Sequence, residues 1–241
     1  ITEQATQFPE VVTENQSEIY GQIAVQCTEA EAVVEEVLGL ACKEMEFYTF
    51  KTIALPEETL IVSRTGYTGE DGFEIYGSHA YICAAWDKLQ ESGRAKACGL
   101  GCRDTLRFEV GLPLYGDELS EEISPIMAGL GMFVKLDKAD FIGKEAVAAQ
   151  KANGVSRKLI GIELEARAIP RHGYEVVDAE GNTIGEVTTG YCSISTGKSV
   201  CMALVDVAHA ALGTAVGIKI HRKVQPGTVV KKRFYQKHYK K

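Results

Sequence analysis

The chain has 241 residues, ordinary globular shares of apolar (45%) and charged (24%) residues, and a formal net charge of −7. That length suffices for one large domain or two smaller ones, and the acidic balance argues against broad nucleic-acid binding. No apolar run approaches the ~18 residues of a membrane span and no signal-peptide pattern is visible; the chain opens at Ile1 without a methionine, so further N-terminal sequence is expected.

Residues Ile1–Gln16 are polar and uninformative. Ser17–Gln26 alternates imperfectly around Ile19, Ile23 and Val25 and predicts a strand. Thr28 with Glu31 three residues on reads as a capping box. It opens a helix with the apolar stripe Ala30, Val33, Val34, Val37 and Leu38, ended by Gly39. Glu44–Thr52 and Leu60–Arg64 are strand-like.

Arg64–Tyr76, RTGYTGEDGFEIY, reads strand, tight turn, strand. Gly66, Gly69 and Gly72 permit backbone angles other residues avoid, and Asp71-Gly72 is a turn signal. Alternation puts Phe73 and Ile75 on one face and Glu74 and Tyr76 on the other. Glu74 is then either a solvated hairpin residue or a carboxylate held on a rigid strand, able to accept paired N–H donors from a flat heterocycle.

Ser78 caps a second amphipathic helix, with Ile82, Ala85, Trp86 and Leu89 as its buried face and Gly93 as its stop; Trp86 is expected in the core. Leu100–Val110 predicts a third helix on which Leu106 and Val110 point one way and Arg103 and Arg107 share an adjacent face. The two arginines either pair with Asp104 and Glu109 on a solvated surface, or turn Arg103's planar fork toward a ligand carboxylate or carbonyl. Gly129–Leu136 predicts a strand, and Lys144–Asn153 a helix ending at Gly154.

From Arg157 onward the pattern becomes short strands: Leu159–Leu164, Tyr174–Val177, Thr183–Thr188, Val200–Val205, Ala215–Ile220 and Val229–Arg233. Glu180-Gly181-Asn182 and Gln225-Pro226-Gly227 read as turns, and the whole as an antiparallel sandwich or barrel. The domain boundary is placed near Gly154, giving an α+β part over 1–154 and a β part over 155–241. The tail Lys231–Lys241 is basic and aromatic.

The seven cysteines include no CxxC pair, which suits reduced thiols better than a disulfide framework; Cys98 and Cys102 read as small buried hydrophobes. There is no P-loop and no GxSxG elbow, and Gly99-Leu100-Gly101 fails the dinucleotide fingerprint because Asp104 takes its sixth position. The five histidines lack metal-ligand spacing, and no metal is expected.

Three ordered blocks carry a family resemblance. Arg64–Tyr76 resembles the GYTGEDGxE segment of the aminomethyltransferase family, the T-protein of the glycine cleavage system. Cys98–Gly116, CGLGCRDTLRFEVGLPLYG, is similar to the family's GLxARDxLRLExGxxLYG, and Ser124–Val147 is the third block. The resemblance runs from about Asn15 to the C-terminus and corresponds to the family's C-terminal two-thirds. It departs at Gln26-Cys27-Thr28, where the family reads QGP, and at Thr188–Ser199, which lacks the proline of SGxxSPT.

The resemblance implies a mixed α/β folate-binding domain with ferredoxin-like elements, followed by an antiparallel β-barrel or jelly-roll-like domain. It implies transfer of the one-carbon unit from the aminomethyl-lipoyl arm of H-protein to tetrahydrofolate, a cosubstrate, with release of ammonia. Glu74 would bind the pterin, Tyr67 would line the same pocket, Arg103 would hold the folate, and Tyr239, at the family's spacing after Phe234, would close the site. The implied partners are lipoylated H-protein and the other glycine cleavage proteins, with no nucleic acid and no membrane. The implied compartment is the cytoplasm, or the mitochondrial matrix in a eukaryote. The family's key aspartate lies in the N-terminal third, upstream of the match, so no catalytic residue is assigned and the chain alone is expected to transfer poorly. A folate-binding module without transferase activity and a folate-dependent demethylase-like domain remain alternatives; the KGCYxGQE-type motif of iron–sulfur assembly relatives is absent.

Overall fold

A computed structural model describes residues 1–238. The chain divides into two units, Ile1–Cys98 with His238, and Gly99–Lys237. Among the described residues no helix is long and apolar enough to cross a membrane.

In the first unit the one-turn helix α1 (Thr2–Ala5) precedes a four-stranded antiparallel sheet of order β1-β4-β3-β2, with β1 at Tyr20–Gln26, β2 at Phe50–Ala54, β3 at Thr59–Ser63 and β4 at Gly72–Ser78. Alternation decides which face is buried. Ile23 and Val25 of β1, Leu60 and Val62 of β3, and Phe73 and Ile75 of β4 point one way and pack on α2 (Ala30–Leu38) and α3 (His79–Glu91) through Ala30, Val33, Val34 and Leu89. Glu74 and Tyr76 lie on the opposite face, as expected.

Several expectations change here. Thr28 does not cap α2, whose N-cap is Glu29 with no side-chain bond; Glu31 cannot reach back because it is paired with Arg64. Glu44–Thr49 is not strand: Tyr48 adopts φ 65° and the Met45 carbonyl receives Arg64, so pairing starts only at Phe50. Ser78 does cap α3, accepting from the Tyr81 N–H at 3.2 Å. Trp86 is 43% exposed, since only Ala85 and Leu89 of that helix reach full burial. Cys98 is exposed, not buried.

The second unit holds α4 (Leu100–Glu109), α5 (Lys144–Asn153) and a closed antiparallel barrel. Its strands are β5 (Arg157–Leu164), β6 (Glu175–Val177), β7 (Thr183–Cys192), β8 (Ser199–Asp206), β9 (Ala215–Ile220) and β10 (Lys223–Val230), in the order β10-β5-β8-β7-β6-β9. Of the sandwich and barrel expected from sequence, the barrel is the one formed. β8 is an unbroken apolar run because both of its faces are covered. Cys201, Ala203 and Val205 fill the barrel interior with Ile160, Ile162 and Ile218, while Val200, Met202 and Leu204 pack outside with Phe108 of α4.

Gly129–Leu136 is not a strand; it holds a single 3-10 turn at Gly131–Phe133, with Met132 and Phe133 exposed. Gln225-Pro226-Gly227 is not a turn either. It lies inside β10, and the chain reverses at His221, φ 55°. Proline is tolerated at the end of the β10–β5 ladder, whose register begins at Gly227↔Leu164: Pro226 stays opposite Gly217 of β9 and its carbonyl still accepts from the Glu165 N–H at 3.0 Å. Val229–Arg233 is therefore strand only to Val230. Cys102 is exposed on α4.

Candidate functional site

The GYTGE loop joins β3 to β4 and is wider than a tight turn, since the pairing stops at Ser63↔Glu74. Its neck is closed by a buried ion pair. Arg64, 2% exposed, donates from Nε to Asp71 Oδ1 at 2.9 Å and from Nη2 to Asp71 Oδ2 at 2.6 Å. The same guanidinium donates to Glu31 Oε2 and the Met45 carbonyl, each at 2.9 Å, and stacks 5.0 Å from the Phe73 ring centroid. Its pKa is raised by Asp71 first, then by Glu31, against the opposing effect of burial. Asp71 is thus the anchor of the loop, not half of a turn dipeptide.

The middle of the loop is filled by the side chain of Gln26. It donates from Nε2 to the Thr65 carbonyl at 3.0 Å, and Oε1 accepts from the Thr68 hydroxyl at 3.3 Å. This explains two of the three glycines. A Cβ on Gly66 would lie 1.8 Å from Gln26 Oε1, and one on Gly72 2.3 Å from Gln26 Nε2. Their role is close approach; only Gly69, φ 83°, uses the left-handed region. The Gly69 carbonyl accepts from the His238 N–H at 2.8 Å, and His238 Nδ1 lies 3.1 Å from Glu70 Oε1.

Glu74 stands half-buried on β4 beside this loop. Gln22 Nε2 donates to one of its oxygens at 3.0 Å and the Thr65 hydroxyl to the other at 2.5 Å. Gln22 Nε2 also reaches the Tyr76 hydroxyl at 3.2 Å. Burial, and then the Glu74 charge, push the Tyr76 phenol upward, so it remains protonated. A carboxylate has roughly four lone-pair sites; with one donor fixed on each oxygen, Glu74 retains acceptor capacity in a set plane. Tyr67 is half-buried in the same loop. Of the residues singled out by sequence, the structure therefore brings Glu74 and Tyr67 into one unit. Arg103 belongs to the other unit, exposed on the first turn of α4. Tyr239 lies outside the described residues.

The supporting donors Gln22 and Thr65 were missed by sequence reasoning. The signal for Gln22 was weak, as its neighbourhood rests on the Gln22↔Tyr76 register; Thr65 directly precedes the glycine motif.

The second unit holds another polar network, centred on Arg107. This residue is not on a solvated surface; it and Glu118 are 0% exposed. Arg107 donates to Glu118 Oε2 at 2.7 Å and to Asp104 Oδ1 at 2.7 Å. Glu118 Oε1 accepts from the Thr188 and Thr189 hydroxyls, both at 2.6 Å. Adjacent strand residues normally face opposite ways, but a bulge between Val187 and Thr189 turns both threonines onto one carboxylate. Tyr191 donates to Asp104, and burial first, then that bond, push its phenol up to about 12. Asp117, raised by burial and by the Glu118 charge, lies 3.4 Å from His172 Nδ1. Glu109 is equally committed, accepting from the Ser193 hydroxyl at 2.7 Å and the Ser195 N–H at 3.0 Å. These groups hold α4 and the following loop on the barrel; Asp71, Asp104 and Asp117 are all occupied with arginine.

Comparison with known proteins divides the chain later than its two compact units do, between residues 138 and 157. Residues 1–138 match the GCVT N-terminal domain and residues 157–236 the glycine cleavage T-protein C-terminal barrel domain. An aminomethyltransferase of Thermoanaerobacter sp. (strain X514) is 47% identical over 236 residues, covering 96% of this chain and 64% of the relative. One from Bacillus mycoides (strain KBAB4) is 49% identical over 228 residues, covering 92% and 62%. The crystal structure of glycine cleavage system aminomethyltransferase T from Bartonella henselae superposes with TM-score 0.87 at 33% identity, covering 92% of this chain and 61% of that one. The chain thus spans less than two-thirds of the length of these relatives.

Proposed function

The chain belongs to the glycine cleavage T-protein family, and from that premise we propose that it works in aminomethyl transfer. The one-carbon unit passes from aminomethyl-lipoyl H-protein to tetrahydrofolate, and ammonia is released. The observation that carries this reading is the presentation of Glu74. Its two oxygens are each fixed by one donor, Gln22 and Thr65, on a strand whose loop is pinned by Arg64 and Asp71.

That donor set fits a pterin. The heterocycle offers amino and ring N–H donors in one plane, and an ionised carboxylate with remaining lone pairs accepts them as charge-assisted bonds. Glu74 holds the ring in this reading, and Tyr67 supplies an aromatic wall. Arg103 and Tyr239 are assigned by family resemblance, to the folate's charged end and to closure of the site. Tetrahydrofolate supplies the nitrogen that accepts the one-carbon unit. The protein's part is to orient that nitrogen and stabilise developing positive charge, and neither task calls for a covalent intermediate on a side chain. No catalytic charge is assigned: the family's key aspartate lies upstream of the match, and Asp71, Asp104 and Asp117 are engaged with Arg64 or Arg107.

The test is ammonia release from aminomethylated H-protein, with and without tetrahydrofolate. Folate-dependent release supports the proposal. Folate binding without release favours a binding module of the same family, and loss of a methyl group from methylated amine donors, read as the demethylated amine, favours a demethylase.

A further inference from the structure

The barrel unit contains a cavity of about 310 Å³ that the folate reading does not use. Lys198, Lys231 and Arg233 line it together with Val200, Val230 and Phe234. The volume is at the low end for small-molecule sites.

Its charge is opposite to that of the chain. None of the 33 Asp and Glu residues follows Asp206, although the whole protein carries −7. One carboxylate reaches the cavity, that of Glu163, and it is bound to Lys198 Nζ at 2.8 Å and 3.0 Å. Lys231 and Arg233 enter no salt bridge among the described residues. The intervening Lys232 is turned elsewhere, donating its ammonium to the Ala128 carbonyl. The flanking pair, Lys231 and Arg233, lines the cavity on either side of a bend at Lys232. Lys237 is held below its ordinary pKa by burial and then by repulsion from Arg233, as expected where positive charge is in excess.

We propose that this cavity binds a small organic phosphate, its dianion on Lys231 and Arg233 and its apolar body against Phe234, Val200 and Val230. Two cations without a described carboxylate partner suit a dianion better than a monocarboxylate, and the guanidinium fork matches phosphate oxygens. The apolar residues set an organic phosphate apart from the free ion. The proposal is independent of Glu74 and of the transfer reaction.

The experiment is titration of the isotope-labelled 241-residue chain with phenyl phosphate, inorganic phosphate and benzoate at low salt, read by amide chemical shifts. Phenyl phosphate is expected to give saturable shifts in Thr196–Val200 and Val230–Phe234. It should bind at least about tenfold more tightly than either control, and Arg233→Gln with Lys231→Gln should weaken it by about tenfold or more, the scale of one charged hydrogen bond. The spectrum of the variant away from the cavity reports its fold, and the single Arg233→Gln variant serves if the double one is perturbed. Absence of saturable shifts, equal affinity for either control, or unchanged affinity in the variants overturns the proposal.

Discussion

Arg64 and Asp71 meet through two hydrogen bonds, Nε to Oδ1 at 2.9 Å and Nη2 to Oδ2 at 2.6 Å, and so close the neck of the glycine-rich loop that flanks Glu74. Both are buried. Removing Asp71 leaves the buried Arg64 with two donors unmet and Glu31 as its remaining carboxylate, and breaking a buried pair in this way typically costs ~3–5 kcal/mol. Asp71→Ala is therefore expected to lower unfolding free energy by about that much in denaturant titrations. A loss under ~0.5 kcal/mol would equal that of an ordinary surface change and contradict the anchoring role.

The glycines at 66 and 72 are explained by Gln26, not by backbone freedom. Gly72→Ala is expected to cost ~1–3 kcal/mol, the usual price of overpacking, and less in a Gln26→Ala background. A double-mutant cycle on unfolding free energies measures this. Additive effects would mean that the two positions do not share space.

Thr65 holds the plane of the Glu74 carboxylate. Thr65→Val keeps the shape and removes the donor, so folate affinity should fall by ~0.5–1.5 kcal/mol with thermal stability nearly unchanged. Thr65→Ser should restore binding. Equal loss in the valine and serine variants would make the residue a packing element only.

Glu109 gives the fold a pH dependence. Burial alone would push its carboxyl upward, but hydrogen bonds from Ser195 and Ser193 outweigh this and hold it below its ordinary 4.5. A depressed folded-state pKa contributes stability that is complete above the unfolded value and disappears as pH falls through the folded one. Ser195→Ala should therefore destabilise the protein more at pH 7 than at pH 3. Denaturant titrations at both values check this, and equal loss at each would remove Glu109 from the acid response.

The elements most legible in the sequence were those set by a single periodicity. β4 alternates cleanly, α5 is bounded by Gly154, and the barrel strands are short apolar runs between turns. The failures share a cause. Glu31, Asp71 and Arg107 looked like local features, a capping box, a turn and a surface charge, and each is recruited by a partner outside that local pattern, Arg64 for the first two and Glu118 for the third. Pro226 looked like a turn residue because its place just beyond the β10–β5 ladder is set by register, which local composition does not encode. At the candidate site Glu74 and Tyr67 were read from a motif, whereas Gln22 came to Glu74 only through the pairing of β1 with β4. Sequence spacing carries no information about that kind of neighbour.

The central claim is that Glu74 accepts the pterin donors, and calorimetric titration of tetrahydrofolate into wild-type protein and Glu74→Ala tests it most directly. With fold integrity checked by circular dichroism, the variant is expected to lose ~1.5–3 kcal/mol of binding free energy, the scale for hydrogen bonds to a charged group. A dissociation constant indistinguishable from wild type, in a correctly folded variant, would contradict the account and remove Glu74 from the folate site.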